Sequence, residues 1–410
     1  MRSLRNISRI LIGIMFIFSG FVKAVDPLGS TYKFTDYFNA FGIEWLVPAA
    51  LFFAVMLSAI EFLIGFALIN NVFPRVFSTL AFIFMGFFTV LTLILAITNP
   101  VSDCGCFGDA IKLTNWQTFY KNLFFIIPTA IIFWQRKKFM PRYERIGQSA
   151  IIIVGLLGVL FISKISYQHL PLIDFRAYSV GTNIKLAKNE DWIGAPQPVF
   201  DTKIVYKKDG AEQAFTTDNL PDTTWTWVKT INKQISEGYH APVQNFNITD
   251  KNKQDVTQMI LSDEYFSLMI VAYDLEDIPN DAIEKIQVLN DVGMGNGYNV
   301  FIVTASNLDQ VNAFEREHSI MSTFYFADPI TLKTIVRSNP GLVLLHSGQI
   351  LQKWHYNDFP DENQLTEYEL FNAHQAAKSA VIRWLIFGFL VGWILIATLF
   401  DIFALKSRFS

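Results

Sequence analysis

The chain contains six apolar runs, each long enough to cross the hydrocarbon core of a lipid bilayer, which is roughly 30 Å thick. The runs cover approximately residues 8–25, 45–69, 73–98, 116–134, 148–167 and 379–405. A run of this length with few charges predicts a membrane-spanning helix. The fold class is therefore an α-helical polytopic membrane bundle, and any further domain must fold between these helices.

The composition agrees with a protein that lives largely in lipid. Hydrophobic residues make up 51% of the chain and charged residues 17%, and Phe alone occurs 39 times. This balance is unlike that of a soluble enzyme. The formal net charge is −3, and no basic stripe marks a nucleic-acid surface, so nucleic acid is not a predicted partner. The partner that the composition predicts is the lipid bilayer.

Basic residues cluster at alternate ends of the predicted spans. They precede the first span, follow the second and the fourth, and end the chain, whereas the opposite loops are acidic. The basic positions are Arg2, Arg5, Arg9, Arg75, Arg136, Lys137, Lys138, Arg142, Arg145, Lys406 and Arg408. The positive-inside rule then places both termini in the cytoplasm. We therefore predict a multi-pass protein of a bacterial inner membrane, with residues 169–378 in the periplasm.

The spans divide the chain into four parts and the external region into two. The parts are a four-helix membrane domain at 1–140, a fifth transmembrane helix at 148–168, the periplasmic region at 169–378 and a sixth transmembrane helix at 379–405. Within the periplasmic region, a β-hairpin part at about 195–230 precedes an α/β part at about 244–360.

Turn signals and hydrophobic patterns predict the strands of the external region. Lys208-Asp209-Gly210 separates two short alternating segments, and Asp-Gly is a strong hairpin signal. From about Gln244 the order becomes strand, helix, strand, helix, strand, strand, beginning with a fully apolar strand at 266–273. This alternation predicts an open sheet with helices on its faces.

Asn339-Pro340-Gly341 stands immediately before the last predicted hairpin. The α/β part resembles the thioredoxin fold, because that family places a proline, usually cis, just before its third core strand. The resemblance implies a redox cysteine pair directly after the strand at 266–273, but those positions read Asp274-Leu275-Glu276-Asp277-Ile278-Pro279. Without a thiolate this domain cannot perform disulfide exchange. We expect it to bind or scaffold another protein.

Cys104 and Cys106 are the two cysteines of the chain, and they lie one residue apart in a predicted external loop. A bridge between them would close a very small ring, which Gly105 makes sterically accessible. A strained and exposed disulfide is labile and oxidising, as a redox pair requires. Against this, Asp103 and Asp109 should raise the pKa values of the thiols. A redox pair and a structural loop both stay open, and a metal site would need more ligands.

Glu61 lies inside the second predicted span, where a carboxyl costs about 2.5–3.5 kcal/mol on the insertion scale. Counting about 1.5 Å per residue from Trp45 places Glu61 slightly to the cytoplasmic side of the midplane. Arg9 lies at a similar depth in the first span, whereas Lys23 lies near the opposite face. We therefore predict an Arg9–Glu61 ion pair that clamps two helices, with a proton or quinone role as the alternative.

Three sequence strings connect the first third of the chain to a known family. They are Arg9-x-x-x-Gly13-x-x-Phe16-x-x-Ser19-Gly20-x-x-Lys23, Glu61-x-x-x-Gly65 and Asp103-Cys104-Gly105-Cys106-Phe107-Gly108. With these strings the first four spans resemble the DoxX/MauE family of membrane proteins. The whole arrangement, with its external domain and closing span, is similar to a branch of that family in Bacteroidetes-type bacteria.

The family resemblance implies a function outside the cytoplasm. For MauE-like members it implies disulfide handling during maturation of periplasmic proteins, and for DoxX-like members a redox-associated or quinone-linked role. We therefore predict an accessory of periplasmic redox or maturation processes, which uses Cys104 and Cys106 as a redox pair and another periplasmic or inner-membrane protein as partner. Quinone is the one cofactor that the resemblance implies.

Whether the chain is itself an enzyme stays open. If it is, the prediction is a thiol–disulfide or quinone-linked oxidoreductase accessory. One alternative is a non-catalytic scaffold or docking subunit of a cell-envelope complex. Another is a small transporter built around Glu61, although the bundle lacks the paired broken helices that midplane sites use.

Overall fold

The computed structural model describes most of the chain, including the first five predicted spans and the external domain. The described residues are 2–101, 103–141, 143–188, 199–208, 210–216, 219–236, 241–243, 246–361 and 363–365. The predicted closing span at 379–405 lies outside them.

The N-terminal part is a bundle of six helices in the described chain. They are α1 (Arg2–Val25), α2 (Pro27–Ala40), α3 (Ala50–Asn70), α4 (Pro74–Thr98), α5 (Asn115–Trp134) and α6 (Arg145–Gln168). Among the described residues, four helices are long and apolar enough to cross a membrane: Ser3–Val25, Glu44–Asn70, Pro74–Thr98 and Arg145–Gln168. These correspond to four of the predicted spans. The predicted span at 116–134 forms α5, a helix of 20 residues, and its crossing of the bilayer stays a prediction.

Glycines set the register between α1 and α3. A Cβ on Gly20 would lie 2.4 Å from the Phe62 backbone nitrogen, and one on Gly65 would lie 2.4 Å from that of Ile17. These contacts are closer than any real side chain tolerates, so the two backbones meet at small residues. The hydroxyl of Ser58 donates to the Gly20 carbonyl oxygen at 2.9 Å and joins the helices at the same level.

The segment between the first two spans folds into a helix that the sequence did not predict. Asp26 caps α2 by accepting a hydrogen bond from the Gly29 amide, and Pro27 occupies the first helical turn, where its missing N–H costs nothing. The second predicted span, 45–69, agrees with the helical segment Glu44–Asn70. The first six residues of that segment form a 3₁₀ helix containing Pro48, and α3 starts at Ala50.

The external part contains two β-sheets and five helices among the described residues. Its elements are α7 (Ile184–Ala187), β1 (Val199–Lys208), β2 (Ala211–Thr216), β3 (Thr226–Ser236), β4 (Ile248–Thr249), α8 (Thr257–Leu261), β5 (Ser267–Ala272), α9 (Asn280–Gly295), β6 (Asn299–Thr304), α10 (Leu308–His318), β7 (Thr323–Ala327), α11 (Pro329–Ile335), β8 (Gly341–His346) and β9 (Gln349–His355). The predicted hairpin is confirmed, because β1 pairs with β2 in antiparallel register. With β3 they form a three-stranded sheet in the order β2-β1-β3.

The larger sheet has the order β4-β7-β6-β5-β8-β9. Strands β5, β6 and β7 are parallel, whereas β8 runs antiparallel to β5 and β9 antiparallel to β8. Every residue of β5 is buried, because helices cover both faces of the sheet. Helices α9 and α10 pack on one face, and α8 and α11 on the other.

This sheet belongs to an α/β domain of thioredoxin-like fold. Parallel strands joined through helices lead into an antiparallel hairpin, and the Asn339–Pro340 peptide bond directly before that hairpin is cis. The side chain of Asn339 contacts the segment that follows β5. Its side-chain amide nitrogen donates to the Asp274 carbonyl oxygen at 2.7 Å. The predicted open sheet and the position of Pro340 are thus confirmed.

The predicted element order was incomplete in two places. Strand β4 and helix α8 precede β5, and strand β7 and helix α11 lie between α10 and β8; the sequence analysis had predicted none of the four. Strand β7 is only five residues long and partly exposed, so it lacks the apolar run that identified β5 and β6. Helix α11 has seven residues and depends on a cap from Asp328.

Candidate functional site

Cys104 and Cys106 lie in the segment between α4 and α5, at residues 99–114, here called the cysteine loop. Both are free thiols, Cys104 buried and Cys106 partly buried, and their Sγ atoms are 2.8 Å apart. Gly105 between them has a φ of +66°, a conformation that favours glycine. The loop therefore holds the two sulfurs in direct contact.

Side chains of helix α2 contact the cysteine loop. The Lys33 ammonium forms an ion pair with Asp103 at 2.8 Å, and the Tyr37 hydroxyl donates to the Cys104 carbonyl oxygen at 2.9 Å. The Gly105 amide donates to the Asp103 carboxylate at 2.9 Å. Because α2 supplies two of these contacts, the helix missed by the sequence analysis is part of the site.

A buried charged cluster holds the loop from inside the bundle. The Lys23 ammonium lies 2.8 Å from the Glu61 carboxylate and donates to the Cys106 carbonyl oxygen at 2.7 Å. The Ser19 hydroxyl lies within hydrogen-bond distance of the same carboxylate and the same carbonyl, at 2.9 and 2.8 Å. All three side chains are buried. Lys23, Glu61 and Ser19, here called the anchor cluster, therefore connect the membrane helices directly to the cysteine loop.

The predicted Arg9–Glu61 ion pair is wrong. Arg9 instead donates to the carbonyl oxygens of Leu68 and Ile69 at the end of α3. Glu61 pairs with Lys23 at 2.8 Å, so the depths estimated by counting helical rise along each span did not identify its partner. The glycine contacts between α1 and α3 then bring Glu61 level with Ser19, where the Lys23 side chain reaches back toward the start of its helix.

The two thiols differ in acidity. A hydrogen bond from the Cys104 thiol, with further help from the Lys121 and Lys23 ammonium groups, lowers the pKa of Cys106 to about 6 against the opposing effect of burial. The same hydrogen bond and burial raise the pKa of Cys104 well above its usual value. The pair therefore contains one thiolate nucleophile and one protonated partner near neutral pH.

Asp103 and Asp109 were predicted to raise the pKa values of the two thiols, but each of these carboxylates is paired with a cation. Asp103 pairs with Lys33, and Asp109 pairs with Arg337 at 3.1 Å. Each negative charge is thus compensated by a cation. The pKa of Cys106 is lowered, opposite to the prediction. The pKa of Cys104 is raised as predicted, but by the hydrogen bond with Cys106 and by burial.

The pH dependence of alkylation follows from the lowered pKa of Cys106. We expect its rate with iodoacetamide to rise as pH increases through about 6 and to level off above that, because only the thiolate reacts. A Cys104→Ala variant loses the donor to the Cys106 sulfur, so its profile should shift toward the ordinary thiol value of 9.0. Mass spectrometry of alkylated protein between pH 4 and pH 9 measures both profiles. A wild-type midpoint near 9.0 would contradict the assignment.

A cavity of about 470 Å³ lies inside the bundle beside the cysteines. Its inner end is polar and includes Cys104, Cys106, Lys121 and the anchor cluster. The rest of its wall is mostly apolar and largely aromatic, with side chains from α1, α2, α3 and α4 and a few polar residues that include Ser30, Lys33 and Asn122. The cysteine pair is thus accessible from within the membrane part of the protein.

The thioredoxin-like domain docks against the same end of the bundle. The Arg337 guanidinium, which is buried, pairs with Asp26 at 3.0 Å and with Asp109 at 3.1 Å. Beside it, the Lys333 ammonium lies over the rings of Tyr32 and Tyr273. A second cavity of about 410 Å³ with mixed polar and apolar walls lies beside this contact and is lined by residues of both the domain and the cysteine loop.

The docked face is the one that carries redox chemistry in catalytic thioredoxins. It consists of the end of β5 and the loop before β8, where Asp274 and Asn339 exchange two hydrogen bonds. The cysteines closest to this face are Cys104 and Cys106 of the bundle. In the described part of the chain no three His, Cys, Asp or Glu side chains are grouped closely enough to hold a metal ion.

The model of the methylamine utilisation protein MauE family covers the bundle up to the end of α5. Residues 1–135 match the MauE family. The MauE-type domain therefore contains α1 to α5, the anchor cluster and the cysteine loop. The DoxX side of the predicted resemblance stays a prediction. A second match, to a family described as a domain of unknown function, DUF8463, covers residues 200–237 and thus the three-stranded sheet.

Comparison with other proteins adds little about activity. No curated protein matches the chain. One similar solved structure is a candidate protein disulfide isomerase from Bacteroides thetaiotaomicron, with 13% identity and a TM-score of 0.25, covering 32% of this chain and 92% of the other. Another is Arabidopsis thaliana ScoI with copper bound, with 12% identity and a TM-score of 0.23, covering 32% of this chain and 96% of the other. The fold assignment rests on strand order, and neither similarity supports a statement about chemistry.

The sequence analysis did not identify three residues of the site, namely Tyr37, Lys121 and Arg337. Tyr37 lies in a helix that was not predicted, and Lys121 lies near the start of the predicted span at 116–134. Arg337 stands two residues before Asn339-Pro340. A single arginine at that position carries no sequence signal for the acidic partners it finds in the bundle.

Proposed function

We propose that this protein is a membrane-bound thiol–disulfide exchange accessory, in which Cys104 and Cys106 act on a client protein at the outer face of the membrane. The observation that carries the proposal is the asymmetry of the pair. One sulfur is a stabilised thiolate, and the other is a protonated thiol in contact with it. Exchange through a mixed disulfide requires one thiolate that attacks and a second thiol that resolves the intermediate.

The exchange proceeds in two steps that balance in atoms and electrons. The Cys106 thiolate attacks a client disulfide, a new S–S bond joins client to Cys106, and the second client sulfur leaves as a thiolate. Cys104 then gives its proton to that thiolate and attacks the Cys106 sulfur. The client sulfur bound to Cys106 leaves as a thiolate that takes a proton from water, so the client ends as a dithiol, and Cys104 and Cys106 are oxidised to a disulfide. The reverse sequence oxidises a client dithiol and reduces the pair.

The thioredoxin-like domain supplies binding rather than chemistry in this proposal. It has no cysteine, and Arg337 holds it beside the cysteine loop, so a client bound in the cleft between them meets Cys106 at high effective concentration. We place this end of the bundle in the periplasm of a bacterial inner membrane. The basic residues at the opposite end, Arg136, Lys137 and Lys138, support that orientation.

Trapping the mixed disulfide tests the proposal in cells. A Cys104→Ser variant lacks the resolving thiol, so we expect it to accumulate a client linked to Cys106, visible as a higher-mass band without reductant that disappears with it. A Cys106→Ser variant is the matched control and should trap nothing. If both variants trap nothing, and if alkylation before and after reduction shows that neither cysteine is ever oxidised, the proposal is wrong.

A non-catalytic docking subunit is the second candidate, because the thioredoxin-like domain contains no cysteine and contributes a binding surface without thiol chemistry. Under this account, deletion of residues 190–376 should abolish partner retention in a pull-down from mild detergent, whereas a Cys104→Ser/Cys106→Ser double variant should retain the partner and the phenotype. The transporter alternative finds no support in the site. Glu61 is engaged by Lys23 and Ser19 and is used to hold the loop.

A further inference from the structure

The two thiols face the cavity inside the bundle. Cys104 and Cys106 both line that cavity. The second cavity, here called the outer cleft, is lined by Asp103, Gly105 and Gly108 of the same loop, and among the described residues that line it neither cysteine is present. A client sulfur therefore reaches the pair from within the membrane part of the protein and not from the outer cleft.

Lys33 and Gly105 form the partition between the two cavities, since both residues line both of them. Their packing is close, because a Cβ on Gly105 would lie 3.2 Å from the Lys33 Cγ. The ion pair between Lys33 and Asp103 at 2.8 Å holds α2 against the loop at the same point. The outer cleft can therefore hold a client, but the cavity inside the bundle must receive its sulfur.

The cavity inside the bundle opens through the side, between α3 and α4. Met56 of α3 and Phe87 of α4 line the cavity and are also 38% and 62% exposed. Phe87 lies near the middle of Pro74–Thr98, a helix long and apolar enough to cross a membrane. An apolar side chain exposed at that depth faces hydrocarbon, so an occupant that enters beside it arrives from the lipid.

The inner end of the cavity suits a sulfur better than a lipid chain. Lys121 lines the cavity and is close enough to Cys106 to act on its charge, and its ammonium group lies 4.2 Å from the centre of the Phe107 ring. A positive charge at this end stabilises a client thiolate that leaves during exchange. An acyl chain has no group that binds an ammonium ion, so it would bury this charge without compensation.

We propose, on the basis of the thiol-exchange function above, that the clients are membrane-anchored proteins whose reactive cysteine lies at the outer end of an apolar segment. The apolar segment lies against the opening between α3 and α4, and the turn that carries the cysteine enters the cavity. Cys106 attacks the sulfur of that cysteine, the S–S bond of the client breaks, and the other client sulfur leaves as a thiolate. The thioredoxin-like domain binds the part of the same client that continues outside the membrane.

The size of the cavity agrees with a short piece of polypeptide. One turn of an α-helix, taken as a cylinder about 10 Å wide and about 5.4 Å long, occupies roughly 420 Å³. The cavity volume is about 470 Å³. The cavity therefore admits about one turn of the client, while the rest of the apolar segment stays in lipid. Phe53 and Phe88 line the wall and provide rings against which apolar side chains pack.

Two synthetic peptides test the proposal on the full-length Cys104→Ser variant in lipid nanodiscs. Both contain an apolar segment of about 20 residues and one cysteine activated as a thiopyridyl disulfide. In the first peptide the cysteine adjoins the outer end of the apolar segment. In the second, a Gly-Ser linker of about 10 residues holds the cysteine roughly 17 Å away in water. Attack by Cys106 forms the mixed disulfide and releases pyridinethione, whose absorbance gives the rate.

We expect the first peptide to react at least about tenfold faster than the second. The apolar segment gives both peptides the same concentration in the bilayer, but only the first places its sulfur in the cavity. The difference between the two rates therefore measures entry of the sulfur from the lipid and not partition of the peptide into the membrane.

Two variants made in the Cys104→Ser background test the route. Met56→Trp narrows the opening and should slow the first peptide by about tenfold or more relative to alkylation of Cys106 by iodoacetamide, which is small enough to pass. Ile83→Trp is the matched control, because Ile83 of α4 is 57% exposed and lies outside the cavity wall. Its rate with the first peptide should change by less than about twofold.

The outcomes separate the two proposals. If the second peptide reacts as fast as the first, or if Met56→Trp and Ile83→Trp behave alike, clients do not enter from the lipid. The inference is then wrong, the cavity is a site for acyl chains or small apolar molecules, and the thiol-exchange function stands. If neither peptide forms a mixed disulfide with Cys106, both proposals are wrong.

Discussion

Replacing Lys23 by Met is expected to lower the free energy of unfolding of the membrane bundle by about 3–5 kcal/mol, because it leaves the Glu61 carboxylate buried without a counter-charge. Both side chains are only 7% exposed in the present structure. Thermal unfolding of the full chain in mild detergent measures the loss. The double variant Lys23→Met/Glu61→Leu removes both charges and should recover most of the lost stability.

The same substitution should change the chemistry of the loop. Lys23 is one of the cations that lower the pKa of Cys106, and it binds the carbonyl oxygen of that residue. Cys106 in the Lys23→Met variant should therefore be alkylated more slowly at neutral pH than in the wild type.

Lys164→Met provides the matched control for this prediction. Lys164 is exposed near the end of α6, so its loss should alter stability by no more than about 0.5 kcal/mol. If Lys23→Met and Lys164→Met are equally stable, the anchor cluster does not hold the bundle together. If the double variant is no more stable than Lys23→Met alone, the loss of stability does not come from the unpaired carboxylate.

Arg337→Gln is expected to release the thioredoxin-like domain from the bundle. The substitution leaves two carboxylates facing each other without their shared cation, at a cost of about 3 kcal/mol. That energy corresponds to an increase of about a hundredfold in the population of undocked domain. Hydrogen–deuterium exchange of the full chain should then show faster exchange in α2 and α11, while the β5 amides stay protected.

Lys112→Gln is the control, because Lys112 also faces Asp109 but at 3.9 Å and with 71% of its side chain exposed. Such an exposed pair contributes about 0–1 kcal/mol, so exchange in α2 should be nearly unchanged. Equal exchange in the Arg337→Gln and Lys112→Gln variants would show that Arg337 does not hold the domain in place.

Acid should mimic the Arg337 substitution. Although burial opposes its ionisation, Arg337 and then Arg176 lower the pKa of Asp26 below its ordinary value of 3.8. A carboxyl whose pKa is lower in the docked state stabilises docking at neutral pH and loses that contribution as pH falls through the lowered pKa. Docking should therefore persist at mildly acidic pH and weaken only below 3.8.

Much of the architecture could be read from local patterns in the sequence. The apolar runs identified the long helices because a helix that crosses lipid must be apolar over its whole length. The fully apolar strand β5 and the Asp-Gly hairpin were equally local signals. Pro340 located the loop that meets the end of β5, and the absence of cysteine after that strand excluded redox chemistry in the thioredoxin-like domain itself.

Only the tertiary structure decided how the charged residues pair. Arg9, Lys23 and Glu61 were all recognised as unusual in an apolar segment, but their partners depend on the register of α1 against α3, which glycine contacts set to within one helical turn. The acidity of Cys106 likewise depends on groups from α1 and α5 that meet only in the folded bundle. The sequence by itself determined which segments are apolar enough to cross a bilayer and which loop contains the two cysteines, because those properties belong to single segments. The anchor cluster, the docking by Arg337 and the cavity beside the thiols arise from contacts between distant segments, so no local pattern encodes them.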